Sequence, residues 1–183
     1  MDRGYIYLNK KSFLHNLEVL KNLSRKELCL VVKANAYGHG LEWAVINAKE
    51  SGIKWFAVAS VDEGVQVKKA YEESRVLLLA EPSKIQLENI KENDIDLTVY
   101  NESFIDTLIE TGVEYSVHLK IDTGMHRLGC PPEKFYDLYK KIVDSDLNLI
   151  GICTHFPMAD TDEAETKKSI ELFENTISDI DST

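Results

Sequence analysis

Short, continuous apolar runs rich in β-branched residues recur along the chain, at residues 28–32, 55–59, 76–79, 97–100, 117–121 and 149–153. Because they do not alternate with polar positions, they read as strands covered on both faces, as in a parallel sheet. Amphipathic stretches of helical length fill the intervals: 41–51, 60–73, 83–93, 103–111, 132–144 and 162–180. A further helix at 11–23 puts Phe13, Leu14, Leu17 and Leu20 at helical spacing. Ser60, Ser83 and Ser103 stand where N-caps belong, and Pro132 suits a first helical turn. Strict strand–helix alternation predicts an α/β fold, and periodicity leaves open whether the sheet is a doubly wound layer or a barrel. No Gly/Ser/Pro-rich linker breaks the chain, so residues 1–183 are expected to form one domain, with an extended start at Tyr5-Ile6-Tyr7-Leu8 that reads as an additional strand.

Composition narrows the setting. The chain has 183 residues, 44% hydrophobic and 28% charged, enough for a real core. A complete (β/α)₈ barrel usually needs about 250 residues, so six visible units are expected to be an incomplete one. A formal charge of −10 with no basic run argues against nucleic acid or an anionic membrane surface as partner. Cys29, Cys130 and Cys153 lack C-x-x-C spacing, which fits free thiols in a reducing, cytoplasmic setting, and no metal site is expected. No apolar run approaches the roughly 18 residues of a membrane span.

Three strand ends carry chemistry. At the first, Val31-Val32-Lys33-Ala34-Asn35-Ala36-Tyr37-Gly38-His39-Gly40 puts a lysine where ligands sit in parallel α/β folds. Desolvation by the strand makes such an amine a nucleophile or base, and the glycines let backbone approach a ligand. The plain alternative is a lysine that snorkels at a sheet edge. The second, His118 to Gly129, offers Lys120, whose burial in a barrel would require a partner or a modification, and Arg127, a planar donor fork for phenolate, carboxylate or phosphate. Its plain alternative is a surface loop with an Asp122–Arg127 ion pair. The third ends in Thr154-His155-Phe156. In one sheet the three ends would converge on one mouth.

The first segment closely resembles the pyridoxal-phosphate (PLP) lysine signature of the alanine racemase family. Lys120-Ile-Asp-Thr-Gly-Met-His-Arg127-Leu-Gly resembles the family's K-x-D-T-G-M-G-R-L-G motif, and Thr154-His155-Phe156 with Ala159-Asp160 resembles a third. Order and spacing agree across essentially the whole chain. The resemblance implies the TIM-like (β/α)₈ barrel of fold-type III PLP enzymes, about six of eight units present, with residues 1–10 packing in a C-terminal β domain outside these residues. It implies that Lys33 forms the Schiff base with PLP and acts as one racemisation base. Tyr37 binds the cofactor phosphate, Arg127 meets the phenolic oxygen, His155 lies against the ring, and Lys120 is a candidate for carbamylation. His126 departs from the motif, which usually has glycine there, and this puts the loop's conformation in question.

The resemblance further implies a homodimer acting on a small amino acid, alanine or serine, to supply D-amino acids for peptidoglycan. The opposite base would be a tyrosine of the partner's second domain, so these residues alone are expected to be inactive. Some serine-racemising relatives carry a membrane segment beside this domain. The rival readings are a decarboxylase or PLP-carrier of the same fold, and a barrel module without catalysis.

Overall fold

The computed structural model describes residues 4–178 and Ile180. The chain divides into two compact units, Met1–Ile95 and Asp96–Thr183. In the first, a helix at Lys10–Ser24 precedes three strand–helix steps. β1 (Cys29–Val31) leads to a helix at Leu41–Glu50, and β2 (Trp55–Val58) to one at Val61–Ala70. β3 (Arg75–Leu78) runs on through a 3₁₀ turn at Lys84–Gln86 into a helix at Leu87–Glu92. The strands pair in parallel in chain order, Leu30 opposite Phe56 and Phe56 opposite Val76. Phe56, Val58, Val76 and Leu78 from the strands and Val45, Ala48, Val67 and Ile90 from the helices are all buried, so cover on both faces explains the apolar runs of β2 and β3. β1 differs, with Cys29 and Val31 exposed and Leu30 half-buried.

The second unit repeats the pattern. β4 (Ile95–Val99) leads to a helix at Glu102–Glu110, β5 (Ser116–Lys120) to one at Pro132–Val143, and β6 (Asn148–Cys153) to one at Glu163–Ile177. These strands are also parallel, Thr98 opposite His118 and Leu119 opposite Ile152. The register slips between Val117 and His118, so that His118 faces Gly151. A Cβ on Gly151 would lie 3.0 Å from His118 Nδ1, so the missing side chain leaves room for the ring. Lys141 fastens two helices by reaching Glu102 at 2.6 Å and Asp106 at 2.7 Å.

The six expected strands and the helices between them are present, with ends shifted by one to three residues. One cap differs. Asn101, not Ser103, opens the Glu102–Glu110 helix, accepting from the Phe104 N–H at 2.8 Å. Asn101 still has the extended backbone of the preceding strand, φ −132 and ψ 148, which a cap needs and a residue inside the first turn has lost. The strand expected at residues 5–8 is not formed: residues 4–9 take no regular secondary structure, and Tyr5, Ile6 and Tyr7 are exposed. Of the stretch 1–10, residues 1–3 lie outside the described residues. Among the described residues no helix is long and apolar enough to cross a membrane, and no three His, Cys, Asp or Glu side chains gather as metal ligands.

Candidate functional site

In the first unit the segment that carries Lys33 and Tyr37 begins where β1 ends. Lys33 is half-buried and begins a turn in which Ala34, Asn35, Ala36 and Tyr37 have φ of 51, 54, 51 and 53. This is one turn of left-handed helix built from L-residues, a conformation that costs about 1–2 kcal/mol per residue. The sequence suggests that glycines carry the unusual backbone here. Gly38 and Gly40 do have φ of 89 each, but four residues with side chains share it. The turn places Lys33 and Tyr37 on one short segment, with the Tyr37 ring 62% exposed.

Strain of this size persists only where the surroundings over-determine it. The Ala36 N–H donates to the Val32 carbonyl at 2.8 Å and the Gly40 N–H to the Asn35 carbonyl at 3.0 Å. The Asn35 Oδ1 accepts from the Leu41 N–H at 2.8 Å. The remaining hold comes from a residue that sequence reasoning did not select, Glu63. Its Oε1 accepts from the Ala34 N–H at 2.7 Å, and its Oε2 accepts from the N–H groups of Ala59 at 2.9 Å and Ser60 at 3.2 Å. The Ser60-x-x-Glu63 capping box was a legible signal for the local half of that arrangement.

In the second unit β5 ends at Lys120, half-buried and opposite Cys153 of β6. The following loop returns to its own neck. The Cys130 N–H donates to the Lys120 carbonyl at 2.8 Å and the Asp122 N–H to the Cys130 carbonyl at 2.9 Å. At the loop's base the Thr154 hydroxyl donates to the Ile121 carbonyl at 2.9 Å, which leaves the Thr123 hydroxyl to donate to Thr154 at 2.7 Å. The Ser169 hydroxyl holds the Thr123 carbonyl at 2.9 Å. Arg127 and His155 are both exposed.

Asp122 does not pair with Arg127. Its Oδ1 accepts from the N–H groups of Gly124 and His126, both at 3.0 Å, and its Oδ2 lies 3.9 Å from the His126 ring. Burial pushes the Asp122 carboxyl up, but the backbone N–H groups of Gly124, His126 and Met125 and the His126 charge outweigh it and hold the group below the ordinary carboxylate value. A carboxyl depressed in the folded state contributes stability at neutral pH that is lost as pH falls through the folded value. Protection of the Gly124 and His126 amides is therefore expected to be full at neutral pH and to fade below about pH 4. Asp122→Asn should abolish that acid step; an unchanged acid profile in this variant would count against the assignment.

His126 answers the departure noted in its motif. It has φ 52, so the histidine adopts the left-handed conformation that glycine would favour. Its ring is 87% exposed, so its ion pair with Asp122 contributes little. His126→Gly is expected to raise stability by about 0.5–1 kcal/mol through relief of that strain, read as a higher urea midpoint at unchanged slope; a lower midpoint would show that the ring contributes more than the strain costs. The Cys130 and Cys153 thiols are pushed up to about 11, chiefly by burial. They are therefore poor nucleophiles at neutral pH.

The family profile described as "Alanine racemase, N-terminal domain" matches residues 8–183. The chain belongs to this family. It is 37% identical over 173 residues to the alanine racemase of Treponema denticola, covering 89% of this chain and 46% of that protein. It is 31% identical over 180 residues to the serine/alanine racemase of Enterococcus gallinarum, covering 94% of this chain and 26% of that protein. The crystal structure of alanine racemase from E. faecalis superposes with a TM-score of 0.87 at 26% identity, covering 96% of this chain and 50% of that one. The fold is therefore the α/β barrel type of the alanine racemase N-terminal domain, present here as a partial barrel. The chain spans about half the length of the alanine racemases it matches.

Proposed function

We propose that this domain binds PLP and forms the cofactor-carrying half of a racemase for a small amino acid, alanine or serine. The carrying observation is the strained left-handed turn that holds Lys33 at the end of β1, together with membership of a racemase family. Four consecutive non-glycine residues at positive φ are a cost with no packing explanation of their own, and such costs gather at active sites.

The side chains fit the cofactor's chemistry. A primary amine is needed for an aldehyde, and Lys33 supplies it. A phosphate dianion needs donors, and the Tyr37 hydroxyl offers one. A phenolic oxygen needs a cation, and Arg127 has a guanidinium that Asp122 leaves unclaimed. His155 offers a flat face for the ring. Carbamylation of Lys120 would turn a half-buried cation into an anion able to orient the Arg127 fork.

When bound, PLP supplies an electron sink that makes the substrate's Cα–H acidic. The Lys33 Nζ would take or return the proton on one face. One lysine serves one face only, so racemisation requires a second base, which the family resemblance assigns to a tyrosine in another domain of a homodimer. D-alanine or D-serine for peptidoglycan is the product this reading predicts.

The test is to mix the protein with PLP, reduce with borohydride and locate the pyridoxyl group by peptide mapping. A single adduct on Lys33 supports the reading. Adducts spread over surface lysines, with none enriched at Lys33, would overturn it.

A further inference from the structure

We infer that Glu63 is a positioning residue for Lys33, acting through the Lys33–Ala34 peptide. This rests on the PLP reading only for what Lys33 is positioned to do. The left-handed turn begins at Ala34, and like the first residues of any helical turn its leading N–H has no carbonyl within the turn to accept it. Glu63 fills that place at 2.7 Å from 29 residues away. Its other oxygen is committed to the Ala59 and Ser60 N–H groups at the end of β2. One half-buried carboxylate thus ties the end of β1 to the end of β2, and the peptide it fixes is the one that carries the lysine's own carbonyl.

Only a carboxylate fits this place. All three donors are N–H groups and both acceptor atoms are oxygens, and charge-assisted bonds of this kind are about twice as strong as neutral ones. In Glu63→Gln one of the two oxygens becomes an NH₂ that faces an N–H whichever way the amide is turned. Either the Ala34 bond or the Ala59/Ser60 pair is lost, and the strained turn loses one of its few supports. A shorter carboxylate in Glu63→Asp keeps the charge but not the reach.

A role in helix capping alone would predict something different, and Ser60→Ala separates the two. It removes the hydroxyl that accepts from the Glu63 N–H at 3.3 Å while leaving the Glu63–Ala34 bond, so it lowers stability through the cap without touching the turn. The experiment compares wild type, Glu63→Gln, Glu63→Ala and Ser60→Ala well below their melting temperatures. Two quantities are read: the hydrogen-exchange rate of the Ala34–Gly40 amides, and the initial rate of borohydride-trapped pyridoxylation at Lys33 relative to all other lysines.

Glu63→Ala is expected to speed exchange of the turn by about 10-fold or more, the loss of one hydrogen bond of about 1.4 kcal/mol, and to lower the Lys33 selectivity by a similar factor. Glu63→Gln, whose remaining oxygen can still serve the Ala34 N–H, should fall between Glu63→Ala and wild type. Ser60→Ala should melt earlier with turn exchange and Lys33 selectivity at wild-type values. Glu63→Ala with wild-type exchange in the turn would overturn the positioning role. So would loosened exchange in the turn with undiminished Lys33 selectivity. If wild type itself shows no preference for Lys33, the PLP reading fails, and the exchange data alone decide whether Glu63 holds the turn.

Discussion

Lys33→Ala is expected to abolish the PLP-linked absorption of the protein and its borohydride-trapped adduct, with the fold intact. In the whole protein that carries this domain, racemisation should fall by a factor of about 10⁴ or more, the scale seen when a residue bearing the chemistry is removed. The melting temperature should change little. Lys33 is half-buried, and the hydrogen bonds that hold its turn run through the backbone, Asn35 and Glu63. A truncation that leaves them in place removes little packing. Retention of the absorption and of an adduct by the variant would move the cofactor to another lysine, for which Lys120 is the obvious second position to map.

The largest structural effect is expected at Gly129. Its φ is 138, and a Cβ there would meet the Asp122 nitrogen at 2.6 Å, the Ile121 carbonyl carbon at 2.8 Å and the Asp122 Cα at 2.9 Å. All three are backbone, and none can step aside cheaply. The Asp122 N–H is bonded to the Cys130 carbonyl at 2.9 Å, the next residue along, so the clash falls at the neck where the loop returns to β5. Gly129→Ala combines a forbidden backbone conformation with an immovable contact, and we expect a loss of about 3–5 kcal/mol. Gly112→Ala is the internal control. Gly112 also has positive φ, 64, but nothing lies within 4 Å of a Cβ there, so only the left-handed penalty of about 1–2 kcal/mol applies. Urea midpoints of the two variants should differ clearly. If they coincide, the neck is softer than the geometry indicates. Because the same neck anchors the Lys120 carbonyl at 2.8 Å, Gly129→Ala should also disturb whatever Lys120 and Arg127 do in the site.

Much of this was legible in the sequence. The six apolar runs named the six strands: β2 to β5 are largely covered on both faces, whereas β1 and β6 carry the same apolar composition while half-buried or exposed along their length. Serine at position 60 named a helix start because a cap acts on a residue three positions away, at 3.3 Å for Glu63. The lysine turn, the Arg127 loop and the His155 strand end stood out because their residue types are uncommon where a strand stops. These signals share one property: each depends on neighbours within a few positions, so the linear order already contains it.

The rest depended on partners brought together by folding. Asp122 had two plausible partners of opposite charge within five residues, and the loop's course gave it the backbone of Gly124 and His126 rather than Arg127. Ser103 lost the cap to Asn101 because β4 ends at Val99 and the helix begins at Glu102, two residues before a Ser103 cap would allow, so Asn101 is the last residue with extended backbone. That alanine, asparagine and tyrosine would hold positive φ beside two available glycines ran against local preference. The turn is held by its own backbone bonds, by the Asn35 side chain and by Glu63, which reaches the Ala34 N–H from another strand–helix unit. Residue preferences are short-range and worth fractions of a kcal/mol to about one, whereas a charged hydrogen bond fixed by packing is worth more. Where the two conflict, as they do at Lys33, the packed structure decides the conformation.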